Sequence, residues 1–175
     1  MRILVTGGVR SGKSTHAESL IGHEPATYVA AGPTLDAEAD PDWTARVAAH
    51  RSRRPASWTT VETQDLASVL REIDGPVLID CLGTWLTALI DASDAWEQDA
   101  DTVHQLVTGR TDLVVAGLRA RPHDVVVVTN EVGLGVVPEH RSGRLFRDLL
   151  GTVNQRVAAA CDEVHLVVAG RVLRL

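Results

Sequence analysis

Gly7-Gly8-Val9-Arg10-Ser11-Gly12-Lys13-Ser14 stands between the apolar run Ile3-Leu4-Val5 and a helix-like segment that begins at Lys13. The pattern Gly-x4-Gly-Lys-Ser makes a phosphate cradle only when a strand precedes it and a helix follows, and both conditions hold here. Glycines let the backbone curl so that successive N–H groups point at phosphate oxygens. The helix N-terminus adds only about 0.3–1 kcal/mol, or up to about 2 kcal/mol when partly buried. That is too little to hold a triphosphate, so Lys13 and a Mg2+ ion on Ser14 are expected to supply the rest. Nucleotide contacts are therefore expected throughout Gly7, Gly8, Val9, Arg10, Ser11, Gly12, Lys13 and Ser14. The competing interpretation is a glycine-rich turn that binds nothing.

Charge usage points the same way. Of 17 basic residues, Lys13 is the only lysine. Arg serves everywhere else, and the compact ammonium is kept for the one motif whose geometry calls for it. The formal net charge of −6 argues against a general nucleic-acid binder. No apolar run approaches the roughly 20 residues of a membrane span. Met1 is followed almost directly by a strand-like run, which leaves no room for a cleavable leader, and a cytoplasmic protein is expected. Cys81 and Cys161 fall inside apolar stretches and are expected to be reduced core thiols.

The 175 residues are expected to form one domain, residues 1–175. Strand-like and helix-like segments alternate. Strands are expected at Arg2–Thr6, Thr27–Ala31, Trp58–Glu62, Pro76–Asp80, Asp124–Thr129 and Glu163–Val168. Helices are expected at Lys13–Ile21, Asp36 to about Arg51 (interrupted near Pro41, with Asp42 as a cap), Asp65–Ile73, Leu82–Ile90, about Trp96 to Ala120, and Leu145–Cys161. This order predicts an α/β fold with a mainly parallel sheet flanked by helices. The last Gly-Arg turn allows an antiparallel edge strand.

A phosphate cradle needs a carboxylate for the magnesium shell, and it should end a neighbouring strand. Asp80 is the candidate after Val77-Leu78-Ile79; the competing role is a cap on the following helix. Asn130 and Glu131 end another strand and should face the same sheet edge, where ligands of open α/β sheets bind. They are candidates for substrate or metal contact, against plain loop hydrogen bonding.

Arg46-Val47-Ala48-Ala49-His50-Arg51-Ser52-Arg53-Arg54 holds four arginines and a histidine in an acidic chain. One account is a solvated basic helix end. The other is a phosphate clamp around a nucleophile. A histidine with an ordinary pKa near 6.5 is mostly neutral at pH 7, and nearby guanidinium groups favour that neutral form. The same arginines would neutralise phosphate charge during attack. The remaining histidines, His16, His23, His104, His123, His140 and His165, lack such a cluster and are expected at the surface or on helices.

These segments together resemble the bifunctional adenosylcobinamide kinase / adenosylcobinamide-phosphate guanylyltransferase family. The resemblance runs through essentially the whole chain. It is carried by Val5 to Ser14, Tyr28-Val29-Ala30, His50 to Trp58 with Glu62, Asp80-Cys81-Leu82, Thr129 to Glu139, Phe146-Arg147-Asp148 and Asn154-Gln155-Arg156. The Asn-Glu-Val-Gly-x-Gly and His-Arg-x-Arg-Arg-Pro segments are its specific parts, since many enzymes share the glycine-rich motif. It implies a P-loop, RecA-like domain that assembles as a homotrimer. It implies phosphorylation of adenosylcobinamide with ATP or GTP, then GMP transfer from GTP to adenosylcobinamide phosphate through a guanylyl-histidine. It places that histidine at His50 and further nucleotide contacts at Arg51, Ser52, Arg53, Arg54, Glu62 and Asp80. A contact at Ala30, Ala31 and Gly32 is also implied, although this chain lacks the hydroxyl pair common there, so only backbone contacts are expected. The alternatives are a P-loop kinase of another small hydroxylated metabolite, without guanylyl transfer, and a nucleotide-dependent switch. The first predicts a dispensable His50, and the second needs mobile effector loops for which so compact a chain leaves little room.

Overall fold

The computed structural model of the chain describes residues 1–22, 25–32 and 54–175. The helix expected over Asp36 to Arg51, with its break near Pro41, lies outside the described residues. In chain order the elements are β1 (Arg2–Gly7), α1 (Lys13–Ile21), β2 (Thr27–Ala30), β3 (Thr59–Glu62), α2 (Leu66–Glu72) and β4 (Val77–Asp80). There follow α3 (Leu82–Ala92), α4 (Ala100–Ala120), β5 (Val125–Val128), α5 (Arg141–Ala158), β6 (Glu163–Val168) and β7 (Arg171–Arg174).

One seven-stranded sheet runs in the order β3-β2-β4-β5-β1-β6-β7. Every pairing is parallel except β6 with β7, which is antiparallel. The mainly parallel sheet with an antiparallel C-terminal edge is what the sequence predicts. Parallel strands covered on both faces need apolar side chains on both, and the four valines of β5 are all buried. Their alternation divides the core. Val125 and Val127 join Leu4 and Ile79 against α2, α3, α4 and α5. Val126 and Val128 join Ile3, Val5 and Leu78 against Ala17 of α1, with Tyr28 and Trp58.

Helix starts differ from the sequence reading where polar residues, not apolar spacing, set them. The long helix begins at Ala100 and not near Trp96, because the Asp99 carboxylate accepts from the Thr102 N–H at 2.9 Å. An N-cap of this type satisfies one orphan donor of the first turn. α5 begins four residues before Leu145, since Arg141 to Arg144 form a polar first turn that carries no apolar signal. Gly117 lets α2 and α4 approach closely, for a Cβ there would come within 2.9 Å of the Leu70 Cβ. Both cysteines are free. Burial raises the Cys161 thiol to about 12 and also raises that of Cys81. Among the described residues no helix is long and apolar enough to cross a membrane.

Candidate nucleotide site

The cradle forms at the carboxyl end of β1. Gly7 ends the strand, and a Cβ on it would come within 2.4 Å of the Val167 carbonyl oxygen and 2.7 Å of Ser11 Oγ. No side chain fits there, so the first glycine is fixed by a close backbone approach. Arg10 and Gly12 have φ of 55° and 95°, and Gly12 is the N-cap of α1. The left-handed turn at Gly12 suits a residue without Cβ. Lys13 opens the helix, and its Nζ donates to the Gly8 carbonyl at 3.1 Å. The ammonium thus folds back over the loop. The turn after β6 braces the cradle from the far side, where the Gly170 N–H donates to the Ser11 carbonyl at 2.8 Å.

The sheet register gathers the other candidates along the same edge. Glu62 pairs with Ala30, Ala30 with Asp80, Asp80 with Val128, and Val128 with Val5. Asp80 and Glu62 are therefore the last residues of their strands, level with the entry to the P-loop. One feature of the sequence reading is corrected: β4 is not next to β1, because β5 lies between them. The chain leaving β5 is consequently the one that touches the cradle, and the Glu131 N–H donates to the Gly7 carbonyl at 3.1 Å.

The competing cap role for Asp80 falls away, because the N-cap of α3 is Cys81. The Thr84 hydroxyl donates back to the Cys81 carbonyl at 3.0 Å. Asp80 instead accepts from the Tyr28 hydroxyl at 3.2 Å. Burial, then the charge of Asp80, pushes the Tyr28 pKa well above its usual range. Tyr28 therefore stays protonated and acts as a donor. The Arg54 guanidinium stacks over the Tyr28 ring at 3.6 Å from its centroid and donates to Thr60 Oγ1 at 2.9 Å. A cation over an aromatic face is favourable, and it brings Arg54 to the same edge as Asp80. His50, Arg51, Ser52 and Arg53 lie outside the described residues.

Two expectations are sharpened. The Ala31 N–H is already committed to the Asp80 carbonyl at 3.3 Å, and the Ala30 carbonyl accepts from Thr63 N–H at 3.2 Å. At Gly32 a Cβ would come within 3.0 Å of Thr84. For Asn130 and Glu131 the loop hydrogen bonding is present. The Glu131 carboxylate accepts from the Gly133 N–H at 2.7 Å, and the Asn130 carbonyl accepts from Asn154 Nδ2 at 3.0 Å.

Two structural features escaped the sequence. Thr129, fully buried, donates to Asn154 Oδ1 at 2.6 Å, so Asn154 holds both ends of the β5 exit. The Asn154 segment carries a family resemblance but no local chemistry that gives it this role. His165 is the second, and it corrects the surface reading. It is 1% exposed, its Nδ1 lies 2.9 Å from His16 Nε2, and its Nε2 lies 2.8 Å from a Glu163 carboxylate oxygen. The alternation of β6 could have placed it inside, since it shares a face with Val167.

Ser14 and Asp80 present a hydroxyl and a carboxylate, the hard oxygen donors Mg2+ takes while keeping several waters. No group of three His, Cys, Asp or Glu suited to a metal occurs among the described residues. One hydroxyl and one carboxylate suit an ion that keeps most of its shell as water and phosphate oxygens.

The family model described as "Cobinamide kinase / cobinamide phosphate guanyltransferase" matches residues 3–175. The bifunctional adenosylcobalamin biosynthesis protein CobU of Salmonella typhimurium is 44% identical, over 97% of this chain and 97% of its own. The protein of the same name from Escherichia coli is also 44% identical with the same coverage. The bifunctional adenosylcobalamin biosynthesis protein CobP of Pseudomonas aeruginosa is 37% identical, over 97% of this chain and 94% of its own. A match through the P-loop, the Asp80 strand and the β5 exit alike means that the chain belongs to the cobinamide kinase / cobinamide phosphate guanyltransferase family.

Proposed function

We propose that this chain phosphorylates the aminopropanol hydroxyl of adenosylcobinamide with ATP or GTP. It then transfers GMP from GTP to the new phosphate, giving adenosylcobinamide-GDP. The observation that carries this reading is the family match over residues 3–175, which includes every element of the nucleotide edge. The kinase-only alternative is not favoured, because the relatives it would have to resemble are named as bifunctional.

In the first reaction the acceptor oxygen bonds to the γ-phosphorus as the bond to the β,γ-bridging oxygen breaks. Such chemistry asks mainly for positioning and charge neutralisation. The N–H groups of Gly8 to Ser14 and the Lys13 ammonium provide both. Mg2+ held by Ser14 and Asp80 would add charge on the phosphate oxygens.

In the second reaction an imidazole nitrogen of His50 bonds to the α-phosphorus of GTP, and pyrophosphate leaves. An oxygen of the acceptor phosphate then attacks that phosphorus, and the P–N bond breaks. Splitting one transfer into two displacements is the benefit of a covalent intermediate. Arg51, Arg53 and Arg54 neutralise phosphate charge, with Ser52 beside them, and Glu62 faces the guanine. Residues 1–175 act as one catalytic domain of a cytoplasmic enzyme whose net charge of −6 suits no nucleic-acid partner, and by resemblance the domain assembles as a homotrimer.

The test supplies γ-labelled ATP with adenosylcobinamide, then α-labelled GTP, and follows the corrinoid product. Label from both nucleotides in one product supports the proposal. Label from ATP alone would favour the kinase-only alternative.

A further inference from the structure

The loop that joins β5 to α5 borders the cradle and is held in shape at both ends. At its start the Glu131 N–H donates to the Gly7 carbonyl, and Arg147 Nη2 donates to the Gly133 carbonyl at 2.9 Å. At its end Arg144 donates to the carbonyls of Pro138 and Glu139. Pro138 packs so closely on α5 that a Cβ at Gly143 would come within 2.9 Å of it. Between these anchors Leu134, Val136 and Val137 are 86%, 94% and 64% exposed. Val9, in the P-loop itself, is 79% exposed. Single exposed aliphatic residues are ordinary, but a braced run of them beside a ligand site is a contact surface.

The acceptor of the proposed reaction fits this surface. Its reacting hydroxyl must reach the phosphate held by Gly8 to Ser14, while its macrocycle is too broad to enter that cradle. The ring must therefore rest on whatever flanks the P-loop. A corrin ring is edged with methyl groups and amide arms, so it suits aliphatic contacts interspersed with free peptide groups and needs no aromatic platform. The loop offers the first in Leu134, Val136 and Val137 and the second around Gly135, since both peptide groups of Gly133 are already bonded. Beyond Pro138, Gly143 also lines a shallow hollow with Thr87, Trp96, Ser142 and Phe146.

We infer that the Val132–Val137 loop, which borders the cradle through Glu131 and Gly7, is the docking face for the corrin ring of the acceptor. This rests on the cobinamide reading above. The test is the L134S/V136S double variant, with L134I/V136I as the conservative control. Three quantities are measured: binding of adenosylcobinamide by equilibrium dialysis, the KM for each substrate in the kinase reaction, and molecular mass by light scattering. Loss of two aliphatic contacts should raise the Kd and KM for adenosylcobinamide about tenfold or more. The KM for nucleotide, covalent labelling by GTP without acceptor, and the mass should match wild type, and the control should behave as wild type throughout. An unchanged Kd and KM for adenosylcobinamide would overturn the docking face while leaving the cobinamide reading intact. A fall in mass would overturn it in favour of a contact between copies of the chain. A wild-type protein that binds nucleotide yet neither binds nor phosphorylates adenosylcobinamide would overturn both.

Discussion

The hydroxyl of Tyr28 donates to Asp80 across 3.2 Å, while Arg54 covers the other side of the same ring. One aromatic side chain thus links the carboxylate that ends β4 to the first described arginine of the basic segment. Burial holds the phenol protonated, so it serves as a hydrogen-bond donor to Asp80. Removing the hydroxyl should loosen the carboxylate without opening the core. Tyr28→Phe is expected to lower kcat of both reactions by about tenfold while costing only about 1 kcal/mol of stability. Steady-state kinetics and urea unfolding of the same preparation check the two halves.

Gly7 meets backbone, which cannot swing aside. A methyl group 2.4 Å from the Val167 carbonyl forces the P-loop away from β6. Gly7→Ala should weaken nucleotide binding by about tenfold or more and destabilise by about 1–3 kcal/mol. Titration with a fluorescent nucleotide analogue reads the first effect, and thermal melting the second.

The His16–His165–Glu163 chain makes stability depend on pH. Burial, the neighbouring His165 and Arg174 together lower the His16 pKa. The hydrogen bond from His165 lowers that of Glu163. A lowered histidine pKa means that the unfolded chain binds more protons near its ordinary value of about 6.5, so stability falls as pH drops through that region. The lowered carboxylate pKa has the same sign, with its contribution lost at more acid pH. Melting temperature should therefore fall between about pH 7.5 and about pH 5.5, and His16→Gln should flatten that slope. An equal slope in the variant would place the titrating group elsewhere.

Most of the sheet was legible because its signals are local. Four successive valines can sit only where both faces are covered, and the P-loop needs a strand before it and a helix after. Strand order is not local, so the insertion of β5 between β1 and β4 could not be read, nor could the resulting contact of Glu131 with Gly7. Helix starts set by caps or polar turns, as at Asp99 and Arg141, were displaced by a few residues. His165 was misread because a histidine among apolar strand residues gives no sign of its partner, and His16 lies 149 residues away. Tyr28 was placed in its strand, but its bond to Asp80 depends on β2 and β4 pairing in register.

Glu62 is exposed at the end of β3, beside Ala30 in the sheet. A carboxylate there is suited to accept from the N1–H and amino group of guanine, which adenine cannot supply. Glu62→Gln should weaken GTP relative to ATP by about tenfold, the discrimination a lost charge-assisted hydrogen bond gives. The ratio of kcat/KM for the two nucleotides in the kinase reaction measures it. An unchanged ratio would remove Glu62 from base recognition.

The proposed GMP transfer rests on a covalent nucleotide at His50. The direct measurement is incubation of the protein with α-labelled GTP without acceptor, followed by denaturation and treatment with acid or alkali. The expected result is a protein-bound label that is acid-labile, alkali-stable, absent from His50→Ala, and discharged by adenosylcobinamide phosphate. A wild-type protein that never becomes labelled, or a His50→Ala variant that labels equally, would contradict it.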